Sequence, residues 1–269
     1  MTEKNGIVTF ECDKDKNGNE ILNSTQRNNE IVWPPKDKFP KAQYTTTWKN
    51  TCNCTSYGMA LEYAGYIFPS GRYKQPEDNL AFHILNSKKI IAEYSTKQPA
   101  MYKLYVKSLE GKCTEAELKD VYPPTELQDY LCMGANDWLG TKAAQFSTNV
   151  NFKEALWKYM VSDNLPMVIS TIFGGFNHIV CVTGVQYTKS DYEKGLAYEK
   201  SNGIPNINPV AIIVDDPWGK YNPKTNKYDA PNGGNDIVVP WDTVVAKVKP
   251  VGSSTVKWAH TFNHAVAII

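Results

Sequence analysis

The chain lacks any apolar run of the roughly eighteen residues that a membrane-spanning helix needs, so no membrane span is expected. Its first residues, Met-Thr-Glu-Lys-Asn, carry no apolar stretch that could act as an export signal. The expectation is a soluble cytoplasmic protein, with release by a route that needs no signal peptide left open. Net charge is nearly absent: 29 Lys+Arg stand against 28 Asp+Glu, a balance of +1. That gives no case for nucleic acid or an acidic membrane surface as partner. Cysteine is sparse. The six, Cys12, Cys52, Cys54, Cys113, Cys132 and Cys181, are too few and too scattered for a disulfide framework. Cys52-x-Cys54 is too tight for half of a zinc site, and no second pair matches it. A Cys113–Cys132 bridge requires work outside a cell; inside one, both are buried free thiols.

What remains is ordinary globular composition, 42% hydrophobic and 21% charged over 269 residues. That is enough chain for one large domain or two small ones. Residues 1–42 are polar and irregular and read as an N-terminal extension; residues 43–269 form the main domain. In the extension, Ile7 to Phe10 and Glu20 to Leu22 can pair as a hairpin across Asn17-Gly18, a tight-turn dipeptide. Asp13, Asp15 and Asn17 also resemble the start of a calcium loop. Position twelve of such a loop is Ser24 rather than a bidentate glutamate, so a plain turn competes with calcium as the reading.

Asn50 to Gly65 contains the organising helix. Met59 and Tyr63 recur at i, i+4, as do Ser56, Ala60 and Ala64, and Gly65 is a natural stop. Cys52 then lies at the helix N-terminus, where unpaired N–H groups and the helix dipole favour a thiolate. Cys54 reads as a small buried residue. Helices are expected over Glu77 to Ser87, from a Thr114/Glu117 capping box, from Thr125 to Cys132, and over Asn151 to Ser162. His83 is expected to be structural. The period then changes to that of strands: Pro166 to Ile172, His178 to Val185, Val210 to Val214, Asp236 to Pro240 and the tail from His264 to Ile269. Lys189 to Pro209 reads as a polar loop. Helices first and antiparallel-type strands afterwards argue an α+β fold.

A cysteine opening a helix, a histidine opening a strand and an aspartate ending the next strand are the types that nucleophilic thiol chemistry uses. Cys52 attacks a carbonyl carbon, His178 handles the proton, and an acid holds the imidazole in its useful tautomer. Asp215 and Asp216 compete for the last role, because side chains alternate along a strand and only one can face the histidine.

The segment Cys52-Asn-Cys-Thr-Ser56 resembles the Cys-(Gly/Asn)-x-Thr-Ser segment of papain-like cysteine peptidases related to those that cut double-glycine bacteriocin leaders. Asn177-His-Ile-Val-Cys-Val-Thr-Gly184 looks like that family's histidine strand, and Val214-Asp-Asp-Pro-Trp-Gly219 like its Asp-Pro-x-Gly segment. Gly233 to Trp241 resembles its closing strand. The resemblance spans residues 43–245 in short blocks. It implies a papain-like fold with a helical half and a β half, Cys52 as nucleophile, His178 as base and Asp216 as orienting acid. It implies no metal and no organic cofactor. Where the family has an oxyanion-hole glutamine, this chain has Thr46; Gln43 and Asn50 are the nearest side-chain donors, beside the Cys52 amide.

The expected function is hydrolysis of a peptide or amide bond, with cell-wall peptide (a phage or bacterial lysin) among the substrates. Two alternatives use the same fold: an inactive binding or structural protein, and a thiol acyltransferase.

Overall fold

The computed structural model describes residues 1–14, 18–248 and 255–265. It is α+β. The elements run β1 (Thr2–Lys4), β2 (Ile7–Glu11), α1 (Cys52–Tyr63), α2 (Pro76–Asn86), α3 (Lys88–Lys97), α4 (Pro99–Leu109), α5 (Glu115–Leu118) and α6 (Gln128–Leu139). They continue with β3 (Ala144–Asn151), α7 (Phe152–Leu156), β4 (Met167–Thr171), β5 (His178–Thr188), α8 (Lys189–Asn202), β6 (Ala211–Asp215), β7 (Lys220–Asn222), β8 (Lys227–Ala230), β9 (Ile237–Pro240), α9 (Trp241–Lys247) and β10 (Thr255–Phe262).

Eight strands form one antiparallel sheet around β5. One edge of β5 is shared end to end: β4 pairs with its first half and β2 with its second. The other edge carries β6 and then β9, while β10 and β3 extend the sheet beyond β4. Gly184 marks a register shift between β5 and β6, and a Cβ there would collide with the Phe10 carbonyl of β2. The missing side chain lets β2 approach.

Strand alternation divides two cores between the faces of this sheet. On one face, Val168, Ile179 and Cys181 pack with the helices α1 to α4 and α6. On the other, Val180, Val182, Ile212 and Val214 pack with Phe152, Trp157 and Val244. The first helix is buried nearly all round, with only Cys52 and Glu62 left half-buried. That is why its apolar stripe is indistinct in the sequence.

Several expectations need correction. The N-terminal hairpin forms across Asn5-Gly6, between β1 and β2, and not between Ile7–Phe10 and Glu20–Leu22. Around Asn17-Gly18 the described residues form no strand pair, but an isolated Lys14–Glu20 bridge with an Ile21 amide to Asp13 carbonyl bond at 2.7 Å. Asp15 and Asn17 lie outside the described residues. The stretch from Lys189 is helix α8 rather than loop, capped by Thr188, whose hydroxyl accepts from the Asp191 amide at 3.0 Å. Its apolar face is narrow: Tyr192 and Leu196 pack on the core, Tyr192 against Phe10 and Trp157, and only Gly195 is fully buried, lying flat on Trp157. Helices α3 and α4 and strands β3, β7 and β8 were not anticipated. The closing strand is β10, upstream of the expected tail; His264 and Ala265 are irregular and the remainder of the tail lies outside the described residues. All six cysteines are free thiols, so there is no Cys113–Cys132 bridge.

Candidate active site

Cys52 is the first residue of α1 and is half-buried. Its N-cap, Thr51, makes no side-chain capping bond, because its hydroxyl donates to the Trp48 carbonyl at 2.7 Å instead. Thr51 therefore caps none of the first-turn amides; the Cys54 amide is met by Asn53 Oδ1 at 2.8 Å, and the positive end of the helix dipole lies at Cys52. Ser56, one turn on, donates to the Ile179 carbonyl at 3.0 Å. That bond docks α1 on the start of β5 and brings Cys52 to His178.

His178 is 2% exposed. Its Nε2 lies 2.7 Å from Asp216 Oδ1, and the Cys52 side chain is near enough to act on the same ring electrostatically. Burial works against the imidazolium, but the charges and hydrogen bonds of Asp216 and Cys52 outweigh it and raise the histidine to about 10. The ring is held as a cation between a carboxylate and a sulfur.

Asp216 is fully buried and accepts three bonds: from His178, from the Trp218 amide at 2.8 Å, and from the Tyr228 hydroxyl at 2.9 Å. Strand alternation explains why it, and not Asp215, faces the histidine. Ile212, Val214 and Asp216 share the face that His178, Val180 and Val182 occupy on β5. Asp215 points the other way, accepting from Tyr63 Oη at 2.5 Å and from the Asp236 amide at 2.9 Å.

Aromatic rings enclose the pair. Trp218 and Tyr228 each meet the His178 ring edge-on at 6.4 and 6.2 Å, and Phe176 lies 5.6 Å away. Trp48, on the turn before α1, stacks on Trp218 at 5.2 Å, and the Arg27 guanidinium sits over both indoles. This cover excludes water from the His178–Asp216 bond, which strengthens it. Gln26 is fully buried and donates to the Trp48 carbonyl at 2.9 Å, fixing the turn that leads into Cys52.

The expected oxyanion donors fare differently. Gln43 is committed elsewhere: its amide donates to the Cys113 carbonyl at 2.8 Å and accepts from the Cys113 amide at 2.7 Å. It is not free to face the thiol, because it closes the loop between α4 and α5. Asn50 is exposed and its side chain meets the Tyr44 hydroxyl. Cys54 is buried, and burial pushes its thiol up, with the Asp78 and Cys52 charges adding to the effect. His83 pairs with Asp137 at 3.0 Å on the outside of the helical layer, a structural contact. Asp13 of the anticipated calcium loop is buried against Asp215 and Asp236, on the opposite face of β6 from Asp216.

Trp218 and Tyr228 are site residues that sequence reasoning missed. Trp218 stood inside the Asp-Pro-Trp-Gly segment and could have been marked from it. Tyr228 belongs to the short β7–β8 hairpin, whose signal is the Asn222-Pro-Lys-Thr-Asn226 turn alone. Compared with known proteins, the chain matches no family model and no curated protein.

Proposed function

We propose that the chain is a papain-like cysteine hydrolase of peptide or amide bonds, with Cys52 as nucleophile, His178 as proton carrier and Asp216 as its orienting acid. The observation that carries this reading is a helix-N-terminal thiol beside a buried imidazole whose Nε2 lies 2.7 Å from a fully buried carboxylate. In a structural role, a buried imidazolium next to a thiol would be a cost with no return.

In this reading the Cys52 sulfur attacks the carbonyl carbon and the carbonyl electrons move to oxygen. The Cys52 amide at the start of α1 donates to that oxyanion. As the tetrahedral intermediate collapses, the C–N bond breaks and the His178 proton goes to the leaving amine. A thioester remains. Water then attacks it, giving its proton to His178, and the acid leaves as the sulfur is released. Asp216 keeps the ring oriented throughout and does not take the proton. Trp48, Trp218 and Phe176, which is 39% exposed, form an aromatic rim that a peptide chain would meet first.

A panel of fluorogenic peptides and cell-wall peptide fragments tests the proposal, with iodoacetamide-treated protein and Cys52→Ala as controls. Turnover that both controls abolish is expected. Turnover that survives Cys52→Ala, or none on any amide while an added amine acceptor is acylated, overturns hydrolysis by this site.

A further inference from the structure

Behind the catalytic line, on the opposite face of β6, lies a second group of acids. Asp13, Asp215 and Asp236 each bring one carboxylate oxygen within 4.8 Å of the others. Asp13 is 1% exposed and Asp215 fully buried, while Asp236 is half-buried. Asp215 is satisfied by Tyr63 and the Asp236 amide, and Asp236 Oδ2 accepts from Asn235 Nδ2 at 3.1 Å. No donor outside the cluster reaches either oxygen of Asp13 or Asp236 Oδ1; the Asp13 and Asp236 carboxyls face each other and can bond only by sharing a proton, the alternative that a bound cation replaces. No lysine or arginine among the described residues forms an ion pair with any of the three; the adjacent Lys14 reaches Glu11 instead, at 3.2 Å. Glu20, bonded to Asn235, adds further negative charge beside them. Burying carboxylates with bare oxygens and no countercharge is strongly unfavourable.

We propose that Asp13, Asp215 and Asp236 form a binding site for one calcium ion, with the unpartnered oxygens of Asp13 and Asp236 as its principal ligands. Calcium takes carboxylate oxygens at about 2.3–2.6 Å, so oxygens around one ion stand up to about 5 Å apart, which accommodates the spacing here. Magnesium, at about 2.0–2.1 Å with near-octahedral demands, fits a tighter cage. The ligands come from three distant places: the segment after β2, the last residue of β6 and the residue before β9. The ion therefore ties the N-terminal strand to the strand end whose next residue is Asp216. Its role is to hold that strand end in place, and it takes no part in the thiol chemistry.

Protein stripped with EDTA and exchanged into chelator-free buffer is titrated with calcium chloride, and separately with magnesium chloride, by calorimetry. Thermal melting is followed in parallel. One equivalent of calcium is expected to bind, with a saturable rise of several degrees in Tm. Asp13→Asn should weaken calcium binding about tenfold or more, with the far-ultraviolet spectrum unchanged; Asp236→Asn, at a less buried position, provides the same comparison should Asp13→Asn fail to fold. Terbium in place of calcium gives a variant-free readout, because the Tyr63 ring beside Asp215 should sensitise its luminescence, and calcium should quench the signal by competition. Absence of saturable calcium uptake by the wild-type protein overturns the proposal. So does binding of magnesium but not calcium, or calcium binding at wild-type strength in both variants. None of these readouts uses Cys52, so failure here and failure of the hydrolase reading are separate results.

Discussion

In the proposed reaction His178 carries the proton that reaches the leaving amine. Its ordinary value is near 6.5 and its folded value about 10, raised against burial by Asp216 and Cys52. A group raised in this way stabilises the fold fully below about pH 6.5 and loses that contribution as pH rises through about 10. Between pH 7 and 10.5 the wild-type protein should therefore lose more Tm than His178→Gln does. Equal losses in the two proteins would remove the buried imidazolium from the account. Hydrolysis should fall on the same alkaline limb, since the leaving amine then has no proton donor, and Asp216→Asn should move that limb to lower pH. Tyr228→Phe removes one bond to Asp216, a change of about 1 kcal/mol, and should lower kcat several-fold while leaving KM nearly unchanged. Selectivity among the thiols follows from burial. Cys12, Cys54 and Cys181 are fully buried with thiols pushed up by desolvation, and Cys113 and Cys132 are pushed up as well. Iodoacetamide at pH 7 should label Cys52 first in the folded protein, and His178→Ala should slow that labelling. Peptide mapping that finds another cysteine first would sink the cysteine–histidine unit.

At the scale of elements, two short connections hold the chemistry in register: the start of α1 on β5, and the turn after β6. The second is the tighter. Asp216 donates its amide to the Gly234 carbonyl at 2.8 Å, and a Cβ on Gly234 would overlap the Asp216 carbonyl, which is backbone and cannot swing aside. Gly234→Ala should cost about 1–3 kcal/mol and reduce kcat far more than a surface Gly→Ala elsewhere, such as Gly203→Ala, where a Cβ meets open space but φ is +89° and some strain is added. Denaturant melts of both variants, with kcat beside them, check it; equal effects would mean that the turn does not position Asp216. These same elements explain what could be read in advance. The helix at Cys52, β5 and β6 have strong local signals: i, i+4 repeats ending at a glycine stop, and runs of valine and isoleucine. The α+β class followed from them. Helix α8 reads as loop because its apolar face, Tyr192, Gly195 and Leu196, is narrow and set among charged residues. Strand β3 is half-exposed, and its Ala-Gln-Phe-Ser-Thr-Asn sequence lacks a clean alternation. Gln43 looked available because sequence distance from Cys52 is all a sequence offers; its bonds to Cys113, seventy residues on, are a tertiary fact.

At the scale of the molecule, one sheet separates two cores, and the site sits where the strand ends of the sheet meet the N-terminus of α1. The first strands belong to that sheet. Val8 and Phe10 of β2 are buried in the core opposite the helices, and β2 covers the edge of β5 from Gly184 to Thr188. A division between an extension and a main domain at residue 42 therefore makes a definite prediction about truncation. Burying Val8 and Phe10 contributes about 1.5–3 kcal/mol each, against a total stability of about 5–15 kcal/mol for a typical protein. Removing residues 1–11 also leaves the β5 edge unpaired, a template for association between chains. A chain beginning at residue 12 should melt many degrees lower than the full chain and should aggregate on heating, even though no residue of the catalytic line is touched. Scanning calorimetry with light scattering checks both. If the shortened chain keeps the full Tm and stays monomeric, the early strands are an appendage after all, and the main domain folds without them.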